Sequence, residues 1–268
     1  MRQEIENLKT MSLGDHLEEL RLRLILMIAG IFVGLIISFG SGMFFVHALQ
    51  NPYDNAVAQI NSSLSDPDNQ NGTTGITPLP LRTIGPMEGI NTYLKVCLFV
   101  AVLISSPWVI WQIWAFISAG LYKKEKQFVY AVAPSSAVLF IAGVLFFIRG
   151  VAPTIMKFSI KFDRMLGVVS QWTFHNYINM VLNLTIMFGI VFQMPILIVF
   201  AEKIGLVTIE QLQTTRKFLI IGVFFIAAVI TPPDPFSQVA MAVPLYALYE
   251  GSILICKFRR NRLRRKTE

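Results

Sequence analysis

Hydrophobic positions in this chain run in blocks rather than in alternation. Residues 24–46, 96–120, 128–148 and 177–201 contain no Asp, Glu, Lys or Arg and run to 23, 25, 21 and 25 positions. A hydrocarbon core of about 30 Å is crossed by roughly 20 helical residues, so each block predicts a membrane-spanning helix. The strands of a barrel would alternate apolar and polar residues over short segments, and no such alternation is present. Two further apolar runs, 218–230 and 236–249, are only 13 and 14 residues long. They flank Thr231-Pro232-Pro233-Asp234-Pro235, whose prolines impose a break. The pair reads either as a shallow hairpin or as helices lengthened by polar residues at their ends. The expected architecture is an all-α integral membrane protein with six transmembrane helices, at about 24–46, 96–120, 128–148, 177–201, 218–230 and 236–256. Residues 1–23 form an amphipathic N-terminal helix and 257–268 a basic tail. The polar stretch from about His47 to Tyr93, rich in Asn, Ser, Gly, Pro and Thr, reads as a long outer loop in which Pro52 and Pro86 help to cap the fold.

Composition agrees: 54% of the 268 residues are hydrophobic and 15% charged, which a water-soluble domain does not tolerate. Charge then sets orientation. With six spans, 17 of the 23 Lys and Arg fall on the side of the termini: four before residue 24, Lys123, Lys124, Lys126, Lys203, Arg216, Lys217 and seven in the tail. By the positive-inside rule both termini are expected in the cytoplasm. A net charge of +7 could suggest nucleic acid, but a basic tail beside the last membrane helix more simply holds topology and touches anionic lipid. The run beginning at Leu24, preceded by a mixed-charge helix and lacking a small-residue cleavage site, reads as a retained span rather than a signal peptide.

Candidate chemistry is sparse. No GxxxxGK[ST] phosphate loop occurs, and His16, His47 and His175 lie outside the charge-free runs where an intramembrane hydrolase would need its base. So few histidines, with only Cys97 and Cys256, leave no metal-binding pattern and no disulfide framework. No cofactor or catalytic residue is expected. Asn61-Ser62-Ser63 and Asn71-Gly72-Thr73 match a glycosylation pattern that arises readily in polar loops. Inside the apolar runs Gln112 and Gln193 are costly to leave in lipid and so are expected to face protein or water.

The N-terminal segment is the most informative. Leu13, Leu17, Leu20 and Leu24 share a helical face, Ser12 or Asp15 can cap the start, and Glu19 and Arg23 are spaced to pair. His16-Leu17-Glu18-Glu19-Leu20-Arg21-Leu22-Arg23-Leu24 resembles the HLxELRxRL signature of the TatC family. Three more segments join it in order. Ser106-Pro107 with Trp111-Gln112-Ile113-Trp114-Ala115-Phe116 and Gly120-Leu121-Tyr122-Lys123-Lys124-Glu125 resembles the second-helix run SxPxxxxQxWxFxxxxLYxxE. Phe188-Gly189-Ile190-Val191-Phe192-Gln193-Met194-Pro195 resembles FGxxFExP, and Thr231 to Gln238 the TPPDxxSQ turn. Gly85-Pro86-Met87-Glu88 through Lys95 is similar to the family's approach to helix two.

The resemblance implies a concave bundle that acts as the receptor subunit of a twin-arginine translocase in the bacterial inner membrane. By the same resemblance it is expected to bind the twin-arginine signal peptides of folded cargo, to self-associate, and to work with single-span TatA/TatB-like subunits on proton-motive force, without catalysing a reaction itself. Glu19 and Glu125 are the implied acceptors for the two arginines. Arg21 and Arg23 flank them, orienting Glu19 or meeting a partner subunit, and Phe116 and Leu121 supply apolar contact. Guanidinium offers carboxylate a planar fork that lysine cannot reproduce. Gln193 stands where the family usually has glutamate, so a titrating role there does not transfer; it remains a candidate contact for a partner helix, with Gln112, Glu250 and Asp234 as further intramembrane or partner-binding positions. The competing reading is a secondary transporter of a small solute with Glu250, Gln193 and Gln112 as a midplane site.

Overall fold

The computed structural model describes residues 13–64, 81–121, 123–168, 171–230 and 235–264. Among these, the chain is helical almost throughout. In order, the helices are α1 (Leu13–Leu64), α2 (Glu88–Ala119), α3 (Lys123–Phe146), a π segment (Phe147–Val151), α4 (Ala152–Met165), α5 (Phe174–Val191), α6 (Met194–Lys203), α7 (Ile209–Thr214), α8 (Arg216–Ile230) and α9 (Pro235–Arg264). Four helical segments are long and apolar enough to cross a membrane: Gly14–Gln59, Glu88–Ala119, Lys126–Met165 and Phe174–Lys203. α8 and α9 correspond to the two short apolar runs, α8 with 15 residues covering about 22 Å. The chain is therefore a multi-spanning all-α membrane protein.

It divides into two compact units, one of Met1–Ser41 with Cys97–Leu139 and one of Gly42–Val96 with Phe140–Glu268. In the first, α1 and α2 pack through small residues. A Cβ on Gly34 would lie 2.7 Å from the Ala101 carbonyl oxygen, so only glycine permits this approach. The short separation lets α2 donate hydrogen bonds to backbone oxygens of α1, Ser105 Oγ to Gly30 (2.8 Å) and Trp108 Nε1 to Leu26 (3.0 Å), while Ser38 Oγ donates back to Cys97. Lipid tails are as apolar as leucine, so close packing and such bonds, rather than hydrophobic expulsion, hold membrane helices together.

The second unit relies on rings. Phe147 and Phe188 lie 5.1 Å apart between centroids, with Phe146 and Phe192 continuing the cluster. Here the long polar loop expected over residues 47–93 is corrected: α1 continues to Leu64 and α2 begins at Glu88. The physical reason is a second periodicity hidden among polar residues, since Val46, Leu49, Tyr53 and Ala56 are buried on one face at three- and four-residue spacing. Tyr177 packs edge-on against Tyr53 (5.5 Å) and donates its hydroxyl to the Leu49 carbonyl (2.9 Å). Pro52, expected to shape a loop, sits inside this helix, where it withdraws one N–H from the ladder.

The third helix also outruns its charge-free block. Ala152 N–H bonds to the Phe147 carbonyl five residues back, and Pro153 follows with no N–H to give. One π turn absorbs the mismatch and the helix runs on to Met165, ending at Gly167 with φ of 73°, a conformation suited to glycine. Conversely, the run 177–201 is divided: Pro195 falls in the first turn of α6, and α5 stops at Val191. The tail expected from residue 257 is helical to Arg264, anchored by Tyr249 Oη to the Leu212 carbonyl (2.6 Å) and by a cluster of Ile209, Leu212, Tyr249, Ile253 and Cys256. Cys97 and Cys256 are both free and buried.

Candidate functional site

The N-terminal part of α1 presents two faces. Leu17, Leu20 and Leu24 are 65%, 40% and 51% exposed, so these three leucines point away from the protein and suit an apolar surrounding. His16, Glu19 and Arg23, at spacings of three and four, form the half-buried face together with Leu26 and Gly30. The same register that brings Gly30 and Gly34 against α2 thus brings the three polar side chains against the later turns of α2.

Arg23 is the centre of this arrangement. Its Nε donates to Glu19 Oε1 at 2.7 Å and its Nη1 to Gln112 Oε1 at 2.9 Å. Gln112 is 2% exposed, two residues from buried Trp114, and of the two surroundings expected for its amide, protein or water, it faces protein. Glu19 and Arg23 side chains retain 21% and 26% exposure. Among the described residues Glu19 is engaged through Oε1, and Oε2 has no hydrogen-bond partner. One turn earlier, His16 stacks on Phe116 with ring centroids 4.6 Å apart, beside Gly120. His16 Nδ1 is buried and has no hydrogen-bond partner among the described residues. Leu121 is half-buried in the turn that ends α2, its N–H donating to the Ser118 carbonyl at 3.2 Å, and Arg21 is exposed. Glu125 belongs to the first turn of α3, but its side chain lies outside the described residues.

The second unit holds the other polar positions. Glu250 accepts from Arg216 Nη2 at 2.9 Å and from Tyr246 Oη at 3.1 Å, which commits both carboxylate oxygens. Gln193 is the residue before α6; its carbonyl takes the N–H groups of Ile196 (3.1 Å) and Leu197 (3.0 Å), bridging the break made by Pro195. Asp234 lies outside the described residues. An apolar cavity of about 680 Å³ is lined by Asn183, Ile186, Met187, Ile190, Leu219 and Val223 among others. The solute-transporter reading loses two of its residues, because Gln112 is taken by Arg23 and Glu250 by Arg216 and Tyr246.

Sequence reasoning did not single out the pairing of Arg23 with Gln112, 89 positions away, nor the His16 and Phe116 stack. It also missed a network around Glu88, whose carboxylate accepts from the N–H groups of Ile84 (2.6 Å), Gly85 (3.2 Å) and His175 (3.2 Å). Lys95, at the end of the approach to helix two, donates to Asn179 Oδ1 at 3.3 Å.

The TatC family model, described as Sec-independent protein translocase protein, matches residues 15–244. The chain belongs to the TatC family. Among its relatives, the Sec-independent protein translocase protein TatC of Carboxydothermus hydrogenoformans is 32% identical over 255 residues, covering 93% of this chain and 94% of that protein. The TatC of Aquifex aeolicus is 34% identical over 249 residues, covering 92% and 95%. A crystal structure of the twin arginine translocase receptor TatC in DDM superposes with a TM-score of 0.75 at 34% identity, covering 90% of this chain and 98% of that one. Family membership and fold thus agree along nearly the whole sequence, and every residue of the Arg23 arrangement falls within the matched segment.

Proposed function

We propose that this chain is the receptor subunit of a twin-arginine translocase, and that Glu19 is one of the carboxylates that holds the arginine pair of a signal peptide. The observation that carries the site assignment is the half-engaged carboxylate. Glu19 is fixed by Arg23 through one oxygen while the other is open among the described residues, in a partly exposed setting where a second guanidinium can reach it. Charge-assisted bonds of this type are short and directional, and the planar guanidinium fits them better than an ammonium. Glu125 supplies the second acceptor, Phe116 and Leu121 the apolar contact, and Arg21 the flanking charge. The face lies in the cytoplasm, where the positive-inside count places both termini of an inner-membrane protein with six spans.

The chain acts by binding and assembly rather than by catalysis. Single-span TatA/TatB-like subunits complete the transport path, Gln193 and Asp234 serve as contacts for them, and proton-motive force drives passage. The test is binding of a labelled twin-arginine signal peptide to the detergent-purified chain, with and without partner subunits, comparing Arg-Arg with Lys-Lys peptide. Arg-Arg preference that Glu19→Ala and Glu125→Ala each weaken by about tenfold or more is expected, since losing a hydrogen bond between charged groups costs about 1.5 to 3 kcal/mol. Binding indifferent to both substitutions overturns the site.

A further inference from the structure

Arg23 already occupies the acceptor that a signal-peptide arginine is to use. Its guanidinium lies on Glu19 Oε1, and it is not held there by Glu19 alone, because the Gln112 amide oxygen accepts a second bond from it at 2.9 Å. Gln112 is 2% exposed and sits in the body of α2, beside the close α1–α2 contact made by Gly30 and Gly34, so Arg23 has little freedom to swing aside when a ligand arrives. An incoming cation therefore meets a carboxylate with one oxygen shared with Arg23 and the other without a partner among the described residues.

We infer that Arg23, held by Gln112, is an internal guanidinium that makes Glu19 selective for arginine over lysine. The inference rests on Glu19 being a signal-peptide carboxylate, as proposed above. Its physical basis is the different cost of placing a second cation on one carboxylate. Two guanidinium groups are planar, delocalised and weakly hydrated, and can lie face to face while each points an N–H edge at its own oxygen. An ammonium is compact and strongly hydrated, so it must shed its water and still meet the full repulsion of a fixed neighbouring charge. Without Arg23 the carboxylate would discriminate only by the better fit of a guanidinium; with it, Oε2 admits a flat partner and adds a penalty against a round one. Arg23 on this account does not bind the peptide. It sets the threshold the peptide must pass, and Gln112 keeps the threshold in place.

The experiment is peptide binding to the full-length chain in detergent, with Arg-Arg and Lys-Lys versions of one labelled signal peptide. The proteins are wild type, Glu19→Ala, Arg23→Gln, Arg23→Lys and Gln112→Met. Arg23→Gln should tighten Lys-Lys binding so that the Arg-Arg over Lys-Lys ratio shrinks by about tenfold. Gln112→Met, which frees Arg23 without removing its charge, should shrink the ratio by less, and Arg23→Lys, which restores a cation on Glu19, should recover part of the rejection. A purely structural Arg23 would instead weaken both peptides alike and leave their ratio where it was, and that result overturns the inference. If Arg23→Gln fails to fold, the ratios in Gln112→Met and Arg23→Lys decide the same question, unchanged ratios in both being fatal. Failure of the underlying site looks different: wild type would show no Arg-Arg preference, or Glu19→Ala would bind as wild type does.

Discussion

Glu19 in α1 and Glu250 in α9 are each bonded to an arginine, through oxygens 2.7 and 2.9 Å from its nitrogens, and both side chains are about three-quarters buried. They differ in what is left over. Glu250 has Arg216 on one oxygen and Tyr246 on the other, whereas Glu19 has Arg23 on one and no partner for the other among the described residues. A carboxylate whose oxygens are both committed joins helices; one with an open oxygen, on a partly exposed face, can still receive a ligand. The surroundings follow the same division. The first unit fixes Glu19 indirectly, through small residues that bring α1 and α2 together, while the second unit ties α9 to its neighbours with ion pairs and tyrosine hydroxyls.

The comparison breaks most severely at Gly34. Replacing it with valine puts a branched side chain against the Ala101 carbonyl, a backbone atom that cannot rotate away. Overpacking of this kind costs about 1 to 3 kcal/mol. Gly34→Val should lower the melting temperature in detergent and abolish Arg-Arg peptide binding together, because the register that presents Glu19 is lost with the packing. A variant that melts normally and binds peptide would show that the close approach does not position the site.

The two carboxylates can next be set against each other. Glu250→Gln leaves Arg216, 39% exposed, without its counter-charge, and after allowance for solvent screening should destabilise by about 1 kcal/mol while sparing the Arg-Arg over Lys-Lys ratio. Glu19→Gln should do the reverse. A pair at four-residue spacing on one helix is worth about 0.2 to 0.5 kcal/mol, and Arg23 keeps its bond to Gln112, so melting should shift little while peptide affinity falls. Thermal melts and peptide titrations on the same preparations check both halves. If Glu250→Gln also erased peptide preference, the division between a joining and a receiving carboxylate would fail.

Much of this was legible in the sequence, for reasons specific to each element. Spans stood out because the bilayer demands about 20 apolar residues without charge, and residues 24–46 and 96–120 meet that demand plainly. Glu19 and Arg23 were recognisable as a pair because helix geometry puts residues four apart side by side. Helix ends were not legible. Residues 47–64 are polar in bulk, and their buried positions at Val46, Leu49, Tyr53 and Ala56 are diluted by Asn, Asp and a proline that ordinarily signals a turn. Helix α4 hid in the same way behind Arg149 and Pro153, since nothing in a charge count reveals that one π turn will absorb the proline. The Gln112 partner of Arg23 was beyond reach because it depends on the α1–α2 register, which Gly30 and Gly34 set. Gln112 could be read as needing a polar neighbour, but not which one.

The smallest effect belongs to the pair formed by Arg260 and Glu210, whose side chains are 47% and 67% exposed. The hydrogen bond from Arg260, at 2.7 Å, is the main cause that holds the Glu210 carboxyl below its ordinary range, with further help from the backbone at the start of α7. A carboxylate depressed in the folded state stabilises the fold above its unfolded pKa and loses that contribution as pH falls through the lowered folded value. Acidification should therefore detach the basic end of α9 from α7, and Arg260→Gln should change little at neutral pH but flatten the acid dependence of melting. Because both side chains are largely solvated, salt should mimic the substitution. A melting curve whose acid limb is the same in Arg260→Gln and wild type would assign the anchoring of α9 to the other contacts alone, Arg259 with Glu202 and Tyr249 with Leu212. The peptide preference should not move in either case, which makes this the cleanest check that ion pairs in the second unit serve the frame and not the receptor face.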